Sequence, residues 1–127
     1  MSHAQPVKEH FEFLGYETEA TQDNAFVARR NDRYVLIVHP FADGTVVETL
    51  FPPADAPGDR SEFLALVNRM NIELSLTKVF VLDDGGLGLR AVYVGEYERA
   101  RFTRFVEAFD NDCARFSQKE DLTLYLK

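Results

Sequence analysis

Glu96–Phe116, EYERARFTRFVEAFDNDCARF, holds the strongest structural signal in this chain. Phe102, Phe105, Val106, Phe109, Cys113 and Phe116 recur at steps of three and four, which gathers them on one stripe of an α-helix. Four phenylalanines on that stripe need a broad apolar surface to receive them, and a sheet offers one. Arg99, Arg101, Arg104, Glu107, Asp110, Asp112 and Arg115 occupy the other faces. The pattern predicts a helix lying on the molecular surface with its aromatic stripe inward and these charges outward.

Immediately before this helix, Lys78–Leu82 and Leu87–Val94 flank Asp83-Asp84-Gly85-Gly86, the composition of a β-hairpin. Further back, Asp59 stands three residues before Glu62, the spacing of a capping box, and Phe63, Leu66, Val67 and Met70 follow on one helical face, with Asn71 at the expected end. The PPADAPG run, residues 52–58, holds three prolines and a glycine and reads as an internal loop. Upstream of it, Ala25–Arg30, Arg33–Pro40 and Thr45–Phe51 read as strands. Their predicted turns are Asn31-Asp32 and Asp43-Gly44, the latter through glycine's access to positive φ. The near-continuous apolar run in Arg33–Pro40 predicts a strand buried on both faces. At the N-terminus, Ser2 is placed to cap a short helix bearing Val7, Phe11 and Leu14 and leaving through Gly15. Weak strand character then runs from Tyr16 to Thr21, and Thr21–Asn24 (TQDN) is rich in turn formers. Leu122, Leu124 and Leu126 alternate with polar residues in the closing segment, as in an edge strand or extended arm. The expected class is α+β: an antiparallel sheet with helices mainly on one face, in the order α-β(3-4)-α-β-β-α, forming a single domain over 1–127.

The totals agree with such a domain. The chain has 127 residues, 46% of them hydrophobic and 28% charged, enough to bury a core without disulfides. A net charge of -7 repels phosphate backbones, which argues against direct nucleic-acid binding and favours a basic partner. The single cysteine, Cys113, lies on the aromatic stripe and reads as a small core residue of a reducing compartment. No apolar run reaches membrane-spanning length, and the polar start MSHAQPVKEHFEFLGYE does not read as a signal peptide, so the expected location is the cytoplasm.

Leu66–Val94, LVNRMNIELSLTKVFVLDDGGLGLRAVYV, resembles the central signature of the YbjN-like family. The likeness consists of a helix ending near paired asparagines, Asn68 and Asn71, followed by a strand, an acidic-glycine turn and a second strand. The aromatic final helix fits the same pattern, whereas the tail from Ser117 does not match it. The order of elements is similar to the type III secretion chaperone-like fold. What the resemblance implies is a small acidic bacterial protein, a regulator or chaperone-like adaptor, commonly dimeric, that binds segments of another protein.

No motif carries evident chemistry. Asp83-Asp84-Gly85-Gly86 lacks the alternating ligands and distal glutamate of a calcium loop. His3, His10 and His39 have no metal-site spacing and are expected at the surface. Gly85, Gly86 and Gly88 form no phosphate-cradling pattern. Arg29, Arg30 and Arg33, near Phe26 and Tyr34, make a small basic group that reads as a solvated hairpin tip. Neither a nucleophile with its base nor a cofactor motif is recognisable, so catalytic, cofactor and metal residues are all expected to be absent. The expected function is a non-enzymatic, chaperone-like adaptor that binds a client protein, basic or itself nucleic-acid-binding, as a homodimer. Phe41, Phe51, Asn68, Asn71, Leu74 and Leu76 are its candidate protein-binding residues. The alternative from another class is a small-ligand sensor or regulatory domain with its site between sheet and helices.

Overall fold

The computed structural model describes residues 4–21, 24–54, 59–118 and 126. Three helices, α1 (Ala4–Phe13), α2 (Arg60–Glu73) and α3 (Arg99–Ser117), accompany six strands: β1 (Glu17–Ala20), β2 (Phe26–Arg29), β3 (Leu36–Phe41), β4 (Gly44–Phe51), β5 (Lys78–Val81) and β6 (Leu87–Val94). The sheet is antiparallel, in the order β1-β2-β3-β4-β6-β5. The fold is α+β, and the element order is the one expected. The chain divides into two compact units, residues 1–49 with 92–105 and residues 50–91 with 106–127.

In the first unit, α1 buries Val7 and Phe11 completely, and the chain leaves it through Gly15 at φ 94°. That left-handed conformation is open to glycine without strain. Phe11 meets Phe26 of β2 edge-on at 5.9 Å and Phe102 of α3 at 5.8 Å, and Phe102 also meets Tyr93 of β6 at 5.1 Å. Edge-to-face contacts of this kind add to area burial, which stabilises by about 1.5–3 kcal/mol for each large side chain taken fully from water.

Three local expectations are corrected here. β3 begins at Leu36, not Arg33, and it alternates instead of burying both faces: Leu36, Val38 and Pro40 lie inside while His39 and Phe41 are exposed. A β-branched apolar run cannot by itself distinguish a strand covered twice from one covered once. The link from β2 to β3 is not a two-residue turn, because Arg33 N–H donates to the Arg30 carbonyl and the ladder resumes only at Leu36. In the next hairpin Ala42 and Asp43 form the loop and Gly44 already pairs with Phe41. Gly44 has no positive φ; it is small because a Cβ there would stand 2.2 Å from the Tyr93 carbonyl oxygen.

In the second unit, the Asp59 carboxylate accepts from Glu62 N–H at 3.1 Å, the expected cap of α2. Phe63, Leu66, Val67 and Met70 form its buried face, as the spacing predicts. The helix continues past Asn71 to Glu73, with Leu74 as its C-cap. The β5–β6 hairpin closes as expected around Gly85, at φ 91°, with the Leu82 N–H donating to the Gly86 carbonyl at 2.8 Å. Phe80 lies across the hydrogen-bonded ladder over Gly88, where a Cβ would stand 2.2 Å from the ring. Phe109, Cys113 and Phe116 of α3 are buried, and burial together with Asp110 and Asp112 pushes the Cys113 thiol up to about 12, which makes it an inert core residue.

Asp112 departs from the expected outward position. Its side chain is fully buried, and its carboxylate accepts from the N–H groups of Ser75, Leu76 and Thr77 at 3.0, 2.9 and 2.9 Å. Of the closing segment, Leu126 is buried and bridges Pro53. The predicted cap Ser2, His3, part of the 21–24 turn, part of the 52–58 loop, and Leu122 and Leu124 lie outside the described residues.

Candidate functional site

Two places in the first unit combine exposure with specific chemistry. The first is built on the outer side of α1 and the segment leading into α3. Pro6, Glu9, His10, Phe13, Tyr97 and Arg99 line a cleft of about 200 Å³. His10, expected at the surface, is instead buried at its base. Its Nδ1 lies 2.7 Å from the Tyr97 hydroxyl and its Nε2 lies 3.4 Å from the Thr103 hydroxyl. The Thr103 hydroxyl donates to the Arg99 carbonyl at 2.8 Å and so accepts from His10. This network assigns the proton to Nε2 and makes Nδ1 the acceptor from Tyr97.

Burial, reinforced by the Arg99 charge, lowers the His10 pKa from its ordinary 6.5 and favours the neutral ring. The Tyr97 hydroxyl is held above its usual range, chiefly by burial. Arg99 lies over the Phe13 ring, 4.9 Å from its centroid, and Phe13 itself is 73% exposed. The start of α3 is closed by Glu98, whose carboxylate accepts from the N–H groups of Ala100 and Arg101 at 3.1 and 3.0 Å. These two bonds lower the Glu98 pKa. Sequence reasoning missed this cleft because α1 and Tyr97 are brought together only by the fold. The available signal was that His10 stands three residues after Val7, on its helical face.

The second place is the outward face of the strands. Val94 is 70% exposed, Val92 42%, Val35 49% and Phe41 40%. Val27, Ile37 and Val46 are half-buried, and the register sets Val27 between Glu19 and Ile37, Ile37 against Glu48 and His39 against Val46, so this face mixes apolar with charged side chains. The exposed apolar side chains on this face, set among charged ones, make it a candidate recognition surface.

The six candidate binding residues divide between the two units, Phe41 in the first and the other five in the second. Phe41 belongs to the open face just described. Phe51 stacks on Phe116 at 4.9 Å in the second unit. Asn71 is committed internally: its Nδ2 donates to the Val79 carbonyl at 2.9 Å and its Oδ1 accepts from Val79 N–H at 2.7 Å, tying α2 to β5. Leu74 is buried, which corrects its expected place on a binding surface. Asn68 and Leu76 remain exposed in the second unit, where Asn68 stands between the exposed Leu64 and Ile72 at helical spacing. The basic trio is also spoken for, with Arg29 paired to Glu19 and Arg30 and Arg33 to Asp32. Among the described residues no three His, Cys, Asp or Glu side chains gather as metal ligands, and no helix is long and apolar enough to cross a membrane.

These features define a small α+β protein with an antiparallel sheet, an outward strand face that exposes several apolar side chains, and a cleft beside its first helix. The chain belongs to the YbjN family, described as "Putative bacterial sensory transduction regulator", whose model matches residues 3–119. Among solved structures it is similar to "YbjN, a putative transcription regulator from E. coli", with a TM-score of 0.75, at 12% sequence identity over 96% of this chain and 93% of that one. No curated protein matches.

Proposed function

We propose that this protein is a non-enzymatic, cytoplasmic adaptor, chaperone-like in the manner of type III secretion chaperones, that binds a basic client segment as a homodimer. The observation that carries this function is the exposure of Phe41, Val92 and Val94 on the outward strand face, with Val35 just before β3, among the charged side chains of that face. Such a face takes an extended or helical segment by side-chain burial, and the net charge of -7 over the whole chain favours a basic one. The stripe Leu64, Asn68 and Ile72 on α2, with Ile72 76% exposed, offers a second copy a surface.

Affinity capture from native cytosol, with light scattering on the purified protein, tests both parts. The adaptor reading expects a dimer that recovers one dominant protein, Val94→Asp abolishing capture and Ile72→Asp abolishing the dimer. A monomer whose captured proteins are the same for the native chain and Val94→Asp overturns it. The cleft at His10 favours a second reading, a sensor of a small ligand, and a concentration-dependent rise in melting temperature with a metabolite supports that.

A further inference from the structure

The cleft at His10 presents two opposite charges that do not neutralise one another. Glu9 accepts from the Gln5 side-chain amide at 2.9 Å, one turn earlier on α1, while Arg99 rests on the Phe13 ring. Among the described residues neither forms an ion pair. Tyr97 stands within electrostatic reach of both, and because its proton is given to His10 its oxygen is left as an acceptor in the cleft. Pro6 and the exposed Phe13 ring supply the apolar wall.

Each simpler ligand meets an opposing charge here. A phosphate or plain carboxylate reaches Arg99 but is repelled by Glu9, and a plain amine suits Glu9 but is repelled by Arg99. A zwitterion satisfies both, since a charge-assisted bond forms at each end. The volume, about 200 Å³, falls below the roughly 300–1,000 Å³ of sites for drug-sized ligands and suits a single small metabolite.

We propose that this cleft binds a free α-amino acid with an apolar or aromatic side chain. Its carboxylate lies on Arg99, its ammonium between Glu9 and the Tyr97 oxygen, and its side chain against Phe13 and Pro6. The proposal rests on the sensor reading and names its ligand.

The test is titration of isotope-labelled protein with L-phenylalanine and L-leucine, followed through the Tyr97 and Arg99 amide signals and the His10 ring. Phenethylamine, which lacks the carboxylate, and 3-phenylpropanoate, which lacks the ammonium, serve as controls, along with inorganic phosphate. Saturable shifts are expected with the amino acids and binding weaker by about tenfold or more with each control. Arg99→Gln and Glu9→Gln, both at exposed positions, are each expected to weaken amino-acid binding by a similar factor while the remaining amide spectrum stays native. Equal affinity for 3-phenylpropanoate or phosphate overturns the zwitterion assignment but preserves a ligand site. Absence of saturable shifts with every probe at millimolar concentration overturns both.

Discussion

Among the described residues His10 and Asp112 both have burial opposing their charge, and they resolve the conflict in opposite ways. For His10 burial prevails, aided by Arg99, and the ring stays neutral below its ordinary pKa of 6.5. Between that lowered value and 6.5 the unfolded chain binds a proton that the folded chain refuses, so stability falls as pH drops through this window and levels off below it. Urea unfolding at steps from pH 7.5 to 4.5 should show this slope, and Arg99→Gln should move the His10 NMR titration upward. For Asp112 burial alone would raise the pKa, but backbone N–H donors, Leu76 first, hold it below 3.8. Its contribution is therefore present above the unfolded value and lost only as pH falls through the folded one. Asp112→Ala leaves the N–H groups of Ser75, Leu76 and Thr77 without their acceptor, at about 1–3 kcal/mol for each that finds no water. A loss of about 3 kcal/mol or more in chemical denaturation at neutral pH is expected, and a loss under about 1 kcal/mol would mean that water replaces the carboxylate.

At the scale of elements, periodicity made the helices legible, because a stripe such as Phe102 to Phe116 or Phe63 to Met70 is written in contiguous sequence. The hairpin at Gly85 was legible for the same reason: its cause, a left-handed residue, is local. Gly44 was misread because its cause lies far along the chain, in the Tyr93 carbonyl of a neighbouring strand. Asp112 and His10 share that origin, since spacing places a residue on a helix face but does not say which loop or helix covers that face. The same limit hid the cleft and left Leu74 on an imagined surface. Gly44→Ala tests the corrected account. A methyl group 2.2 Å from backbone oxygen must push β4 from β6, so a loss of about 1–3 kcal/mol is expected by urea denaturation. Were positive φ not the issue and the approach not close, alanine there would be nearly neutral, as it should be at an ordinary strand position.

At the scale of the whole molecule, both proposed associations bury apolar side chains, but only the client's adds attraction between opposite charges, which makes the two distinguishable by salt. The chain carries 21 acidic against 14 basic side chains, so attraction of a basic client acts through a field that extends about 10 Å at 0.1 M ionic strength and about 3 Å at 1 M. The proposed self-association through Leu64 and Ile72 would be apolar, and screening would not weaken it. Raising sodium chloride from low concentration to about 1 M is therefore expected to weaken client capture, while light scattering continues to report the dimer. If the dimer dissociates in step with the client, the two associations share one charged interface and the division of labour between the strand face and α2 is wrong. If capture does not weaken with salt at all, charge takes no part in selecting the client and the basic-client assignment is wrong, while Val94→Asp should still release it at every ionic strength.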